Sequence, residues 1–268
     1  MDLSQIKLVV SDMDGTLLNS NHEVSSEFFE LHNQLKSYKV LFVAASGRPY
    51  YSITSKLAAI KDSIAIIGEN GGILSYNNDI QPSFDIPYSK LFEIDKLTNP
   101  YDDIGKTYCA QDCAFIIKTD EYTINIITEY YSQYKIINSV SEVDQPIVKI
   151  ALYHSESSEK YIYPHVQSIG KDLRVLVSAN HWVDISDPRI DKGNSLKLLQ
   201  EKLNISEEET IVFGDYNNDL GMFERAKFRV AMANAHPNVK AVSNIITASN
   251  NEQGVEQILK KIILSKEK

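Results

Sequence analysis

The chain has little cysteine and no long apolar run, and both shortages exclude classes of protein. Cys109 and Cys113 are the only cysteines among 268 residues. Two thiols four positions apart, with no histidine pair beside them, make a poor disulfide framework and a poor zinc site. No apolar run approaches the roughly 18 residues that a membrane span requires, and the first residues lack the basic start and apolar core of a signal peptide. We therefore expect a cytoplasmic protein that does not act at a membrane.

Positive charge is scarce as well. Lysine and arginine number 27 against 36 aspartates and glutamates, which gives a net charge of −9. Because binding to a phosphate backbone calls for a basic patch, we expect no nucleic-acid partner. The six histidines are scattered without the spacing of a metal site, and we interpret them as structural or surface residues. The length and the 43% apolar content fit one large domain or two of ordinary size.

Short apolar runs alternate with helical patterns at both ends of the chain. The runs are residues 6–10, 40–45 and 64–67 near the start, and 210–213, 229–232 and 245–247 near the end. Ser25 is placed to cap the first helix, and Pro49 could open the second at its first position. Residues 73–80 suggest a small hairpin with Asn77, Asn78 and Asp79 at its turn. The strand–helix alternation predicts an α/β fold with a doubly wound parallel sheet.

The pattern changes in the middle of the chain. Strand candidates there are residues 114–118, 148–153, 174–178 and 182–185, with helical patterns at 122–131 and 159–168. This mixture predicts a separate α+β domain inserted into the first one. The predicted boundaries are 1–82 for the first part of the core domain, 83–188 for the insert and 189–268 for the second part. Linkers near residues 82–87 and 187–188 would hinge the insert.

Polar side chains follow four of the predicted strands. They are Asp12 and Asp14, then Ser46, then Asn70, and finally Asp215, Asn218 and Asp219. In an open parallel sheet the ligand crevice lies outside the carboxyl ends of the strands, so we expect these residues to converge. Paired carboxylates repel each other, and a divalent cation or a shared proton would resolve the conflict. Aspartate-rich clusters with few histidines favour a hard cation, and Mg²⁺ is usual where phosphate is also bound. Lys192 could neutralise a bound anion.

The ordered motifs DMDGT at residues 12–16, SGR at 46–48, DKG at 191–193 and GDYNND at 214–219 resemble those of the haloacid dehalogenase superfamily of aspartyl phosphotransferases. Within it, the Cof-type sugar-phosphatase branch matches best, because that branch inserts an α/β cap between its second and third motifs. The segments AMANAHPNVK and NNEQGV also look like Cof-type sequence. Ser46 stands where threonine is common, and the hydroxyl survives that exchange.

The resemblance implies a Mg²⁺-dependent phosphatase of small phosphorylated metabolites, with sugar phosphates foremost. We expect it to be a monomer or a weak homo-oligomer. It assigns Asp12 as the nucleophile that forms an aspartyl-phosphate, and Asp14 as the general acid and then the general base. Ser46 and Lys192 would hold the phosphoryl oxygens. The implied metal ligands are Asp12, the backbone carbonyl of Asp14 and Asp215, with Asp219 supporting the metal or Lys192.

The remaining implied substrate contacts are Gly47 through its backbone N–H, Arg48, and Asn218, which would orient Lys192 or the phosphate. Arg48 could equally be a solvated residue at a helix start, and Ser46 and Asp219 could be caps. Asn70 could contact substrate, although we favour a turn residue. Two other functions stay open: a phosphomutase of sugar phosphates, and a non-catalytic regulator that binds sugar phosphates.

Overall fold

The structure is a computed structural model that describes residues 2–77, 79–81 and 84–267. The chain divides into two compact units, one formed by Met1–Gln81 together with Asp191–Lys268 and the other by Pro82–Ile190. The first unit is therefore discontinuous in sequence. Within the described ranges, no helix has the length and apolarity that crossing a bilayer demands.

Strands and helices alternate along the described chain. The strands are β1 (Leu8–Asp12), β2 (Leu41–Ala45), β3 (Ala65–Gly68), β4 (Ile73–Tyr76), β5 (Asp79–Gln81), β6 (Gly105–Cys109), β7 (Ala114–Ile117), β8 (Tyr134–Ile137), β9 (Lys149–Tyr153), β10 (Arg174–Ala179), β11 (Trp182–Ser186), β12 (Thr210–Gly214), β13 (Phe228–Ala231) and β14 (Ile245–Ile246). The helices are α1 (Ser26–Ser37), α2 (Tyr50–Lys56), α3 (Tyr88–Thr98), α4 (Glu121–Thr128), α5 (Ser158–Tyr161), α6 (Tyr163–Val166), α7 (Lys192–Leu203), α8 (Leu220–Phe223), α9 (Pro237–Val242) and α10 (Gly254–Lys266).

The first unit is built on one sheet with the strand order β14-β13-β12-β1-β2-β3-β4-β5. All neighbours from β14 to β3 are parallel, and β4 and β5 add an antiparallel edge. β1 lies at the centre and is buried along its whole length, because its apolar residues need cover on both faces of the sheet. Helix α1 packs against α10, and α7 packs against α8. The predicted doubly wound α/β fold is confirmed.

Local signals explain where the first helices begin. The Ser25 hydroxyl accepts a hydrogen bond from the backbone N–H of Phe28 at 3.1 Å, which confirms Ser25 as the cap of α1. Pro49 is the N-cap of α2, so the helix begins one residue later than the predicted position at Pro49 itself. The hairpin of β4 and β5 is present, with Asn77 in the left-handed region at φ 53°. Asn78 of its predicted turn, like residues 82 and 83 of the first predicted hinge, lies outside the described residues.

The second unit has its own sheet, with the order β10-β11-β9-β6-β7-β8. Its neighbours are antiparallel except for β7 and β8, so it is an α+β arrangement. The sequence pattern misses α3, β6 and β8. Neither β6 nor β8 carries a clean alternation of apolar residues, whereas α3 does have Leu91, Ile94 and Leu97 at helical spacing, a signal that could have identified it. The single helix predicted over 159–168 is two short helices separated at Ile162, with Pro164 at the start of the second.

Candidate active site

The carboxyl ends of four neighbouring strands and the start of one helix build the site. Asp12 is the last residue of β1, Ser46 follows β2, Asn70 follows β3, and the 214–219 motif ends β12. Lys192 is the first residue of α7. All nine predicted site residues therefore lie in the first unit, at one edge of its sheet.

A buried lysine joins two of the aspartates. The Lys192 Nζ donates to Asp12 Oδ1 at 2.6 Å and to Asp219 Oδ1 at 2.8 Å. The other oxygen of Asp219 accepts hydrogen bonds from the backbone N–H groups of Asp215 and Tyr216, at 2.9 and 3.2 Å. Asp219 thus holds both the lysine and the loop that carries Asp215, and its carboxylate does more than cap a turn.

Three carboxylates come together next to this lysine. Asp12, Asp215 and Asp219 each offer one oxygen, and these three oxygens lie within 4.8 Å of one another. The Thr16 hydroxyl donates to Asp215 Oδ1 at 3.1 Å and so orients that carboxylate. Gly15 lets the chains approach, because a Cβ there would lie 2.4 Å from Asp215 Oδ2 and the residue has φ +81°. A donor set made only of oxygens fits a hard divalent cation.

Burial and neighbouring charges shift the pKa values of the residues in this cluster. Burial raises the pKa of Asp12 to about 7, with Asp219 adding to the rise and Lys192 opposing it. Burial, followed by the charges of Asp12 and Asp219, raises the pKa of Asp215 well above its ordinary value. Burial acts to lower the pKa of Lys192, but the attraction of Asp12 and Asp219 outweighs it and leaves the pKa raised. One lysine does not neutralise three carboxylates, so a further cation would stabilise the ionised cluster.

Asp14 faces a different partner. Its two carboxylate oxygens accept hydrogen bonds from Arg48 Nε and Nη2, both at 2.7 Å. The His22 Nδ1 lies 3.4 Å from Asp14 Oδ1 and 3.4 Å from Arg48 Nη2. Although burial favours the protonated form, Arg48 and His22 hold the pKa of Asp14 well below its usual range. Arg48 is 2% exposed, so the interpretation of this arginine as a solvated helix-start residue is wrong.

Ser46 begins a tight loop after β2. Its hydroxyl accepts a hydrogen bond from the backbone N–H of Arg48 at 3.1 Å. The N-cap of α2 is Pro49, so the alternative of Ser46 as the cap of that helix is wrong. The loop contacts the end of β3, where Asn70 is buried and left-handed at φ 55°. Asn218 Nδ2 donates to Asn70 Oδ1 at 3.1 Å. The sequence analysis named both residues but did not predict this contact.

Three residues beside the predicted ones take part in these contacts. Thr16 belongs to the DMDGT motif, and its spacing from Asp12 was a signal that could have identified it. His22 was interpreted as structural or surface, and nothing local in the sequence links it to Asp14 and Arg48. Asn70 was interpreted mainly as a turn residue, but its side chain bonds to Asn218 as well.

Known proteins match this chain along almost its whole length. A family model described as haloacid dehalogenase-like hydrolase matches residues 9–259. The 5-amino-6-(5-phospho-D-ribitylamino)uracil phosphatase YbjI of Escherichia coli is 30% identical over 269 residues, which cover 96% of each chain. The crystal structure of SMU.1108c from Streptococcus mutans superposes with a TM-score of 0.89 at 25% identity, covering 97% of this chain and 99% of that one. The HAD subclass IIB sugar phosphatase BT4131 shares the fold, with a TM-score of 0.81 at 21% identity and coverage of 95% and 98%.

Proposed function

Because the chain belongs to the haloacid dehalogenase-like hydrolase family and is a phosphatase of that family, we propose that it hydrolyses small phosphorylated metabolites with Mg²⁺ as its cofactor. The observation that carries this proposal is the Lys192 bridge between Asp12 and Asp219 beside Asp215. Sugar phosphates and polyol phosphates are the proposed substrates. The relative YbjI is named for a substrate with a phosphorylated ribityl chain, which supports that choice.

The proposed reaction has two steps on one carboxylate. In the first step, an oxygen of Asp12 bonds to phosphorus as the bond from phosphorus to the leaving oxygen breaks. The leaving oxygen takes a proton from Asp14. In the second, Asp14 accepts a proton from water as the water oxygen bonds to phosphorus, which frees Asp12 and releases phosphate. Ser46, Lys192 and the N–H of Gly47 would hold the phosphoryl oxygens.

Mg²⁺, when bound by Asp12, Asp215 and the backbone carbonyl of Asp14, would neutralise the charge of the phosphate and of the carboxylates around it. The fit rests on the three convergent carboxylate oxygens and their excess negative charge. Asp219 bonds to Lys192 and to two backbone N–H groups, so its proposed part is to support the lysine and the loop.

Arg48 links substrate binding to Asp14 in this proposal. The guanidinium pairs with the Asp14 carboxylate, and it is also a proposed substrate contact. A phosphate dianion that binds Arg48 would compete with Asp14 for the same donors. Substrate binding would thereby remove the main charge that keeps the pKa of Asp14 low, so that its carboxylate could take up a proton from water and then donate it to the leaving oxygen.

The second unit is the proposed cap domain of this phosphatase. An aspartyl-phosphate must react with one chosen water, so bulk solvent has to be controlled during the first step. We propose that residues 83–188 form this cap and carry the side chains that read the leaving group.

Release of phosphate from an aryl phosphate tests the function. We expect release with Mg²⁺, none with excess chelator, and a loss of roughly a thousandfold or more in Asp12→Asn, because an amide cannot act as the nucleophile. Asp62→Asn, an exposed aspartate of the same unit, is the matched control and should keep full activity. Activity of Asp12→Asn near that of the control would contradict the nucleophile assignment. In a separate reaction primed with a sugar bisphosphate, return of the phosphoryl group to the sugar instead of its release as phosphate would indicate a mutase.

A further inference from the structure

The segment that follows β3 braces the loop that follows β2. The backbone N–H of Ser46 donates to the carbonyl of Ile67 at 2.8 Å, and that of Glu69 donates to the carbonyl of Arg48 at 3.0 Å. The N–H of Asn70 donates to the carbonyl of Ser46, also at 3.0 Å. Three hydrogen bonds therefore hold the Ser46–Arg48 loop against residues 67–70. That loop carries the serine and the Gly47 N–H proposed to bind phosphoryl oxygens.

The Asn70 side chain extends this brace to a second loop. It lies against Gly47, where a Cβ would be 3.1 Å from Asn70 Oδ1 and 3.3 Å from Nδ2. The same Oδ1 accepts the hydrogen bond from Asn218 Nδ2, and both asparagines are buried. One amide thus spans from the loop after β2 to the loop after β12, which also carries Asp215 and Asp219.

The backbone around Asn70 has an unusual conformation. Glu69, Asn70 and Gly71 have φ values of 51°, 55° and 102°, all in the left-handed region. Asparagine tolerates this region better than most residues, and a run of such residues persists only where its surroundings enforce it. The carbonyl of Gly71 accepts a hydrogen bond from the Ser195 hydroxyl of α7 at 2.8 Å. The segment therefore also contacts the helix that begins with Lys192.

We infer that Asn70 is a positioning residue, which holds the Ser46–Arg48 loop and Asn218 at the separation that a bound phosphoryl group requires. This inference rests on the proposed function. Displacements of about 1 Å among groups that bind a transition state are enough to cost large factors in rate, so a rigid spacer between two such loops has a direct effect on turnover. A turn residue alone would need only the left-handed backbone, and glycine supplies that.

The substitution Asn70→Gly separates the two roles. Glycine adopts φ 55° without strain, while the amide that bonds to Asn218 is lost. We expect kcat/KM for the aryl phosphate to fall roughly tenfold or more, and the affinity for inorganic phosphate with Mg²⁺ to fall by a similar factor. Asn204→Gly is the matched control, since Asn204 is exposed and has φ 52° at the far end of α7 from Lys192. Its kcat/KM and phosphate affinity should equal those of the wild type.

A double-substitution cycle with Asn218→Ala completes the test. If the two amides act as one bridge, Asn218→Ala lowers the phosphate affinity as Asn70→Gly does. The double variant should then bind phosphate as well as whichever single variant binds it less tightly. Phosphate affinity of Asn70→Gly within twofold of the wild type would overturn the inference, and so would losses that multiply in the double variant. Calorimetric titration of inorganic phosphate needs no turnover. It therefore tests the role of Asn70 even if the wild type releases no phosphate. Absence of phosphate release would contradict the proposed function and not the role of Asn70.

Discussion

Lys192 shows how a single buried residue can hold a site together. Its ammonium and the Asp219 carboxylate are both fully buried, and Asp12 is nearly so. Taking these charges out of water is costly, and their mutual hydrogen bonds, together with the two backbone N–H groups that donate to Asp219, offset that cost. Removing the lysine leaves the carboxylates of Asp12 and Asp219 to repel each other without the positive charge that bonds to both. We therefore expect the residue that the resemblance assigns to phosphate binding to stabilise the fold as well.

Lys192→Met tests this double role, because methionine keeps much of the volume and removes the charge. We expect a loss of about 3–5 kcal/mol in the free energy of unfolding, measured with urea, together with the loss of activity. The double variant Lys192→Met/Asp219→Asn should recover part of that stability while staying inactive. Unchanged stability of the single variant would mean that the buried ion pairs do not stabilise the fold.

Asp14 and Arg48 show what a sequence motif does not reveal about its own residues. The pattern of residues 12–16 identified both aspartates, but it did not distinguish their partners. Asp12 bonds to Lys192 and has a raised pKa, whereas Asp14 bonds to Arg48 and has a lowered one. Two carboxylates of the same motif thus differ because of neighbours that are distant in sequence.

At the scale of elements, helix α7 positions Lys192 through its N-terminal cap. The Asp191 carboxylate accepts hydrogen bonds from the backbone N–H groups of Gly193 and Asn194, at 2.7 and 3.2 Å. The first turn packs closely, because a Cβ on Gly193 would lie 2.2 Å from the carbonyl oxygen of Gly221. The cap and the glycine together fix where the first residue of the helix lies, which explains the DKG motif physically.

Asp191→Ala should cost about 1 kcal/mol of stability and also lower kcat, because the helix start carries Lys192. Asp191→Asn keeps a good capping residue and should retain most of the stability. Asp120→Ala is the control, since Asp120 caps α4 of the second unit in the same way and its loss should leave kcat unchanged. Urea unfolding and aryl phosphate turnover measure the two effects. An equal fall in kcat for both alanine variants would show that the cap has no specific link to Lys192.

At the scale of the whole molecule, the two units have separate cores. The core of the second unit includes Leu91, Ile94, Tyr108, Phe115 and Leu152, and its sheet is complete within a continuous piece of chain. The first unit needs both ends of the chain, because β12 pairs with β1. The insert can therefore be removed from the chain without cutting any of its own strands.

Residues 84–190 expressed alone should fold, since a unit of this size with its own core is long enough for independent stability. We expect a cooperative thermal transition by circular dichroism and no release of phosphate from an aryl phosphate, because all nine predicted site residues lie in the first unit. Absence of a cooperative transition would show that the insert depends on the first unit for its fold.

The sequence by itself determined the fold class and the positions of the candidate site. Strand runs are local and apolar, and the residues that follow them meet because parallel strands end at one edge of a sheet. The buried course of β1 and the Ser25 cap follow from such short-range patterns, whereas the order of the strands in the sheet was not predicted. An element with mixed composition, such as β6, was missed because packing within the second unit, and not an alternation of apolar residues, stabilises it.

Only the tertiary structure decided which residues pair. Asp14 and Arg48 are 34 positions apart, Asn70 and Asn218 are 148 apart, and Asp12 and Lys192 are 180 apart. Nothing in the local sequence assigns Arg48 to Asp14 or selects Asn70 as the partner of Asn218. These choices depend on distances of a few ångströms between loops, and the packing of the sheet and of α7 sets those distances.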